Sequence, residues 1–340
     1  MTVETQMPSL LGMDDVIASI AERRRNAVSA VAEEAERKYQ YVRPLTTAAD
    51  GLIDYAQNPE GRFMLGIRDI DAMTRGFGRG ELIYVTGRAH SGKTQVVLNA
   101  IANNPSKRVL LFTPDEVSEL VLSKLISMHY NINAEEVEAE IKNGNQKTID
   151  MVKRAAAHDF KNLLVIDDSL TLGQMSRAFD EAQDWWGESA DLVVIDFLEL
   201  IPGEEGADGV VSKSQALKRW TKAANVPVVC LHQASRSSGV RGKAHGMSAM
   251  RYGGETEAIM VLEVYRKLED ESLDQFDRTR HQNSLTVNLA KNKRPPSKKG
   301  EVDLFIHPDT GQIRPMRDED MYVSGTPIQT AEQAMMILNA

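Results

Sequence analysis

Between about residue 55 and residue 307 the chain alternates short apolar runs with stretches in which apolar positions recur at three- and four-residue intervals. The runs read ELIYVTG, RVLLFTP, NLLVIDD, DLVVIDF and VPVVCLH, followed by AIMVLEVY, SLTVNLAK and VDLFIH. The first five are short, β-branched and nearly continuous, as strands covered on both faces of a parallel sheet should be. The last three are separated by charged or Pro/Gly-rich connections and predict a more antiparallel finish. The fold expected is therefore α/β with a mostly parallel central sheet.

Outside this block the pattern changes. Met13, Ile17, Ile20, Ala27, Val28, Val31, Ala35 and Tyr39 recur at helical spacing among charges, predicting one amphipathic helix over 13–40. It packs on its own domain or docks on a neighbouring subunit. VRPLTTAADG (42–51) reads as a linker. The organisation expected is an N-terminal helix and linker over 1–51, one large domain over 52–316, and a tail over 317–340 with a short helix at 329–339.

Composition narrows the setting. A chain of 340 residues, 42% hydrophobic and 26% charged, can bury one large core. Its single cysteine, Cys230, lies inside VPVVCL and reads as a small core residue. One thiol makes no internal disulfide and no Cys/His spacing suits zinc, which favours a reducing cytoplasm. The opening MTVETQMPSLLGMDD lacks a basic segment followed by an apolar core, arguing against a signal peptide. No apolar run has membrane-spanning length. A net charge of −9 argues against polyanion binding by the whole surface and leaves room for a local basic groove.

The first chemistry-bearing motif is GRAHSGKT, residues Gly87, Arg88, Ala89, His90, Ser91, Gly92, Lys93 and Thr94, set between a strand pattern and a helix pattern. It fits G-x-x-x-x-G-K-[ST], a loop whose backbone N–H groups cradle phosphate at a helix N-terminus. Lys93 would reach the β- and γ-phosphates of ATP, and the Thr94 hydroxyl would ligate Mg²⁺. Such a loop needs a carboxylate at another strand end. Asp196, closing the apolar run of DLVVID, is the choice over Asp167 and Asp168, because it leaves more chain for an intervening strand and helices. Glu116, with Asp115 close behind, is the candidate catalytic base, since its longer reach suits a water-mediated contact. Gln233, ending another strand, can contact a γ-phosphate, and His232 reads as its solvent-facing neighbour. Residues 235–255 hold Arg236, Arg241, Lys243, His245 and Arg251 among glycines and serines, the composition of a phosphate-tracking loop or of an ordinary solvated one. KNKRPPSKK (291–299) reads as a basic hairpin tip.

Taken in order, GIRDIDAMTRGFGRGELIYVTGRAHSGKT, RVLLFTPDE, DLVVIDFLEL, NVPVVCLHQASR, RYGGETEAIMVLEVYR and LAKNKRP resemble the RecA-like motor domain of DnaB-like replicative helicases over roughly residues 62–315. The resemblance implies a homo-hexameric ring, ATP and Mg²⁺ at subunit interfaces, and translocation on single-stranded DNA in a central channel. It also implies a primase or helicase loader as partner. By motif, Lys93 and Thr94 hold phosphate and magnesium, Asp196 is the acidic magnesium residue and Gln233 the γ-phosphate sensor. The stretch 236–251, with Arg236, Arg241, Lys243 and Arg251, corresponds to a channel loop. The hairpin supplies a finger to the next subunit, either Lys293 or Arg294, on a tip stiffened by Pro295-Pro296. Three departures stand out: His90 takes the place of a usual loop glycine, Asp115 rather than Glu116 aligns without a gap to the family's catalytic glutamate, and Lys-x-Lys-Arg replaces Lys-x-Arg. The alternative is a recombinase or clock-type RecA relative that binds DNA or protein without processive unwinding.

Overall fold

The computed structural model describes residues 45–234, 241–244 and 256–322. The helices expected at 13–40 and 329–339 lie outside the described residues. The chain divides into a unit ending at Pro59 and a second beginning at Glu60. In the first, helix α1 (Thr46–Gln57) occupies much of the segment expected as a linker, with Leu52 and Ile53 exposed.

The second unit is built on a nine-stranded sheet. Its strands are β1 (Leu82–Gly87), β2 (Val109–Phe112), β3 (Leu163–Ile166), β4 (Leu192–Ile195), β5 (Val228–Gln233), β6 (Met260–Tyr265), β7 (Ser284–Asn292), β8 (Gly300–Ile306) and β9 (Ile313–Pro315). Their spatial order is β3-β2-β4-β5-β1-β6-β7-β8-β9. β6 runs parallel to β1, so AIMVLEVY belongs to the parallel part, and the antiparallel finish begins only at β7. β9, with three residues and a proline, is too short to show in a hydrophobic pattern.

Helices α2 (Arg68–Thr74), α3 (Lys93–Ala102), α4 (Ser118–Tyr130), α5 (Ala134–Lys142), α6 (Gln146–Arg154), α7 (Leu172–Trp186), α8 (Gly206–Ala224) and α9 (Gln275–Arg280) complete the unit. Alternation along the strands explains the unbroken runs. On β1, Ile83 and Val85 join a core with Val96, Leu98, Leu125 and Leu111 from the α3 and α4 side. Leu82 and Tyr84 join the opposite core with Phe179, Leu217, Val193 and Cys230. Both faces are apolar because both are covered. Cys230 is fully buried, and burial raises its thiol pKa well above the ordinary value, so it stays a neutral core residue.

Three hydrogen bonds fasten α3 to the far edge of the sheet. Gln95 Nε2 and Asn99 Nδ2 donate to the Gly311 carbonyl at 2.7 and 2.9 Å, in the turn between β8 and β9. Asn99 Oδ1 accepts the Ile313 N–H at 2.8 Å.

Candidate active site

Parallel strands bring their C-terminal ends to one edge, and there β1, β4 and β5 stand side by side. β1 ends at Gly87 and α3 begins at Lys93, so the loop GRAHSGKT joins strand to helix as expected. A side chain at position 87 would collide with the Val264 carbonyl and Ser91 Oγ, which restricts that site to glycine. Gly92 caps α3 at φ +98°, a left-handed conformation that L side chains rarely adopt. His90 sits at φ 60°, also left-handed, so histidine tolerates there the backbone for which glycine is the relaxed choice. Lys93 folds over the loop and donates from Nζ to the carbonyls of Gly87 (3.0 Å) and Arg88 (2.9 Å). Burial lowers its pKa, against the opposing pull of Asp196 and Glu199. Ser91 Oγ is buried without a hydrogen-bond partner.

Asp196 follows β4 directly, and Thr94 Oγ1 donates to its Oδ2 at 2.7 Å. The two line one small cleft together with Glu116 and Thr113. Burial pushes the Asp196 pKa up to about 6, with the Thr94 hydrogen bond opposing it and the Glu116 charge adding to it. Asp115 is exposed beside the cleft, whereas Glu116 faces into it and is ion-paired through Oε1 with Lys124 on α4. The rival Asp167 is committed elsewhere. Just after edge strand β3, its Oδ2 accepts the Ser118 N–H (2.9 Å) and hydroxyl (2.8 Å) at the start of α4.

β5 ends at Gln233, level with Gly87. His232 is not solvent-facing: it is 0% exposed, because a sheet covered on both sides has no wet face at this strand. Its Nδ1 lies 2.9 Å from Gln233 O and 3.1 Å from Glu199 Oε1, and its ring meets Tyr84 edge to face. Glu199 escaped the reading of the sequence, where it is one acid among the leucines of FLEL.

The KNKRPPSKK segment does join β7 to β8 as an antiparallel hairpin. Arg294, expected as a possible finger, is 6% exposed and turned inward. Its guanidinium is ion-paired with Glu81 and donates to the carbonyls of Thr74 and Gly76, both at 2.6 Å. An arginine so bound is a structural clamp within its own subunit, not the outward-facing tip expected of a finger. Lys293 is exposed, and it and Lys291, two residues apart on one face of the strand, approach the Thr256 carbonyl at 3.2 and 3.3 Å. Of the expected DNA-contacting residues, Arg236 and Arg251 lie outside the described residues. Arg241 is exposed, and Lys243 is held to Ser272 Oγ (2.7 Å) and Asp270 Oδ2 (3.4 Å).

A G-x-x-x-x-G-K-[ST] loop after β1, a carboxylate after β4 and a glutamine closing β5 stand together on a mostly parallel sheet, the arrangement of a RecA-like α/β core. The chain matches the family described as DnaB-like helicase C terminal domain over residues 63–313, and it belongs to that family. It is 31% identical over 251 residues to the replicative DNA helicase DnaB of Nostoc sp., covering 66% of this chain and 28% of that protein. To the replicative DNA helicase DnaC of Bacillus subtilis it is 27% identical over 292 residues, covering 79% and 62%. The matched regions thus span less than two thirds of these relatives. A solved DnaB-like replicative helicase, described with its interactions with primase, superposes with a TM-score of 0.66 at 19% identity, over 89% of this chain and 77% of that one. A second solved structure, an isolated ATPase domain, gives 0.65 at 18% identity, over 81% and 99%. These two establish the shared fold.

Proposed function

We propose that this chain is the ATP-hydrolysing motor of a replicative DNA helicase, working as a homo-hexamer that translocates on single-stranded DNA and unwinds duplex. The observation that carries the reading is the Thr94–Asp196 hydrogen bond within a cleft that Glu116 also lines. It joins the phosphate loop, the acid after β4 and a candidate base in one place. The residues fit Mg·ATP on their own chemistry. Ser91 offers an unpartnered buried hydroxyl, Lys93 an ammonium held only by loop carbonyls, and Gly87 a position where no side chain fits. Thr94 Oγ1 and the Asp196 carboxylate, 2.7 Å apart, are the few oxygen donors that suit Mg²⁺, which keeps several waters and shares substrate phosphate oxygens.

When bound, Mg·ATP would supply the phosphoanhydride to be cleaved and a divalent charge to offset that of the phosphates. The loop amides and Lys93 would hold the phosphates, Thr94 would ligate the metal, and Asp196 would orient its water shell. Glu116 positions the attacking water and takes its proton at the carboxylate. Gln233 contacts the γ-phosphate through its amide. Lys293, with Lys291 beside it, lends positive charge to the next subunit's site. Arg241, and in sequence Arg236, Lys243 and Arg251, supply the cationic path for the DNA backbone. A primase or loader is the partner such a ring would engage in the cytoplasm, and no described helix is long and apolar enough to cross a membrane.

The test is steady-state ATPase with and without single-stranded DNA, paired with strand displacement on a forked duplex. DNA-stimulated hydrolysis and unwinding are expected, both abolished in Lys93→Ala. Turnover without unwinding would move the chain to the class of RecA relatives that do not unwind. Near-normal turnover in Lys93→Ala would sink the phosphate-loop assignment.

A further inference from the structure

β5 outruns its neighbour. β4 closes with Ile195 opposite Cys230, while Leu231, His232 and Gln233 continue past it. In a parallel sheet successive residues aim their N–H groups at alternate flanks. Ala234 N–H goes to the Gly87 carbonyl on the β1 flank at 2.9 Å, so the backbone groups of Gln233 face the flank where β4 has ended. Left alone, that N–H and C=O would lose their ladder partners at a half-buried position.

Two side chains take over. Glu199 Oε1 accepts the Gln233 N–H at 3.0 Å. His232 Nδ1, with acceptors at 2.9 Å (Gln233 O) and 3.1 Å (Glu199 Oε1), must carry its hydrogen and donate. Both backbone groups of Gln233 are thereby fixed by one carboxylate–imidazole pair. Glu199 stands on the short 3-10 turn Leu198–Leu200, which follows Asp196 with only Phe197 between. The acid after β4 and the glutamine ending β5 are therefore tied through a single turn of chain.

We infer that Glu199, steadied by His232, is a positioning residue that sets where Gln233 presents its amide and links it to the turn bearing Asp196. This rests on the reading of Gln233 as a γ-phosphate contact. Glu199 touches no reacting atom in that scheme; it acts through Gln233. Losing the hold leaves Gln233 in place but free to shift, and a misplacement of about 1 Å in such a contact can cost about a hundredfold in rate. Nucleotide affinity, set by the loop and Lys93, should hardly move.

The experiment is steady-state ATPase of the full chain with Mg²⁺ and single-stranded DNA, for Glu199→Ala, Glu199→Gln, Gln233→Ala and the double variant Glu199→Ala/Gln233→Ala. Glu199→Ala should lower kcat by about ten- to a hundredfold with KM for ATP within about twofold. Glu199→Gln keeps an acceptor oxygen of the same reach and should recover most of the rate. The double variant should be no slower than Gln233→Ala alone, since the two act as one unit. Parental kcat in Glu199→Ala, a raised KM, no recovery with glutamine, or an additive double variant each overturns the inference. Parental kcat in Gln233→Ala would instead remove the phosphate-contact reading, and the inference with it.

Discussion

Replacing Asp196 by asparagine should make the nucleotide-free protein more stable while destroying its activity. The carboxyl is 6% exposed and its pKa is pushed up to about 6, first by burial, from an ordinary value of 3.8. Between those two values the folded protein still holds a proton that the unfolded chain has released. Stability therefore falls as pH climbs from about 4 to about 6 and stays reduced above that. A gap of about 2 pH units at about 1.4 kcal/mol each amounts to about 3 kcal/mol. Asparagine carries no charge and can still accept from Thr94 Oγ1. Asp196→Asn should thus be about 3 kcal/mol more stable at pH 8 and less than about 1 kcal/mol more stable at pH 4. Unfolding entropy of about 2.1 cal/mol/K per residue over about 280 residues makes this a Tm rise of about 5 °C at pH 8. The assay is calorimetric melting with chelator and no nucleotide, at pH 8 and pH 4, on either side of the isoelectric point near 5.4. Added Mg·ATP should raise the parental Tm more than the variant's. A variant that melts at or below the parent at pH 8, or whose gain is the same at both pH values, refutes the reasoning.

Arg294→Ala removes one partner of a buried ion pair and should cost about 3–5 kcal/mol in urea unfolding, whereas Lys293→Ala should leave the midpoint unchanged and cut ATP turnover. The reverse pattern would restore Arg294 as the finger. Arg241→Ala should weaken single-stranded DNA binding in fluorescence anisotropy and flatten the slope of log K against log salt by about 0.7; an unchanged slope would exclude Arg241 from the DNA path. Lys124→Met frees the Glu116 carboxylate from a pair that withdraws one of its two oxygens. It should raise DNA-free turnover about threefold with little change in stability, and a fall in turnover would make Lys124 a support of the base instead.

The place of the glycine-rich loop between strand and helix, and the strands from β1 to β5, were legible because each rests on local chemistry: fixed glycine spacing, and apolar residues on both faces of a covered sheet. β6 departs from its expected place for a reason that pattern cannot reveal. The connections flanking its run suggest an antiparallel strand, whereas its direction is set by parallel pairing with β1, far away along the chain. Which of Lys293 and Arg294 faces outward is hidden in the sequence because strand alternation is set by contacts distant along the chain. Asn292 is held by the carbonyls of Lys298 and Met73, and Arg294 inserts against Glu81. His232 and Glu199 meet only because β5 is longer than β4, a property of register that no single segment carries.

The grip of Gln95 and Asn99 on Gly311 bears on how force could leave the proposed nucleotide pocket. Those side chains project from the helix that starts at the phosphate loop, and the carbonyl they hold belongs to the turn that ends β8, the strand leading away from the basic hairpin. The proposed pocket and the hairpin are thereby joined through one helix, one turn and one strand. In the proposed ring, a subunit could not advance its own phosphate loop and leave behind the lysine it extends to its neighbour. Each hydrolysis would reset the geometry of two pockets at once, the subunit's own and the one it completes. The firing order would then be wired into the rigidity of the individual subunit, with no need for a separate messenger between sites.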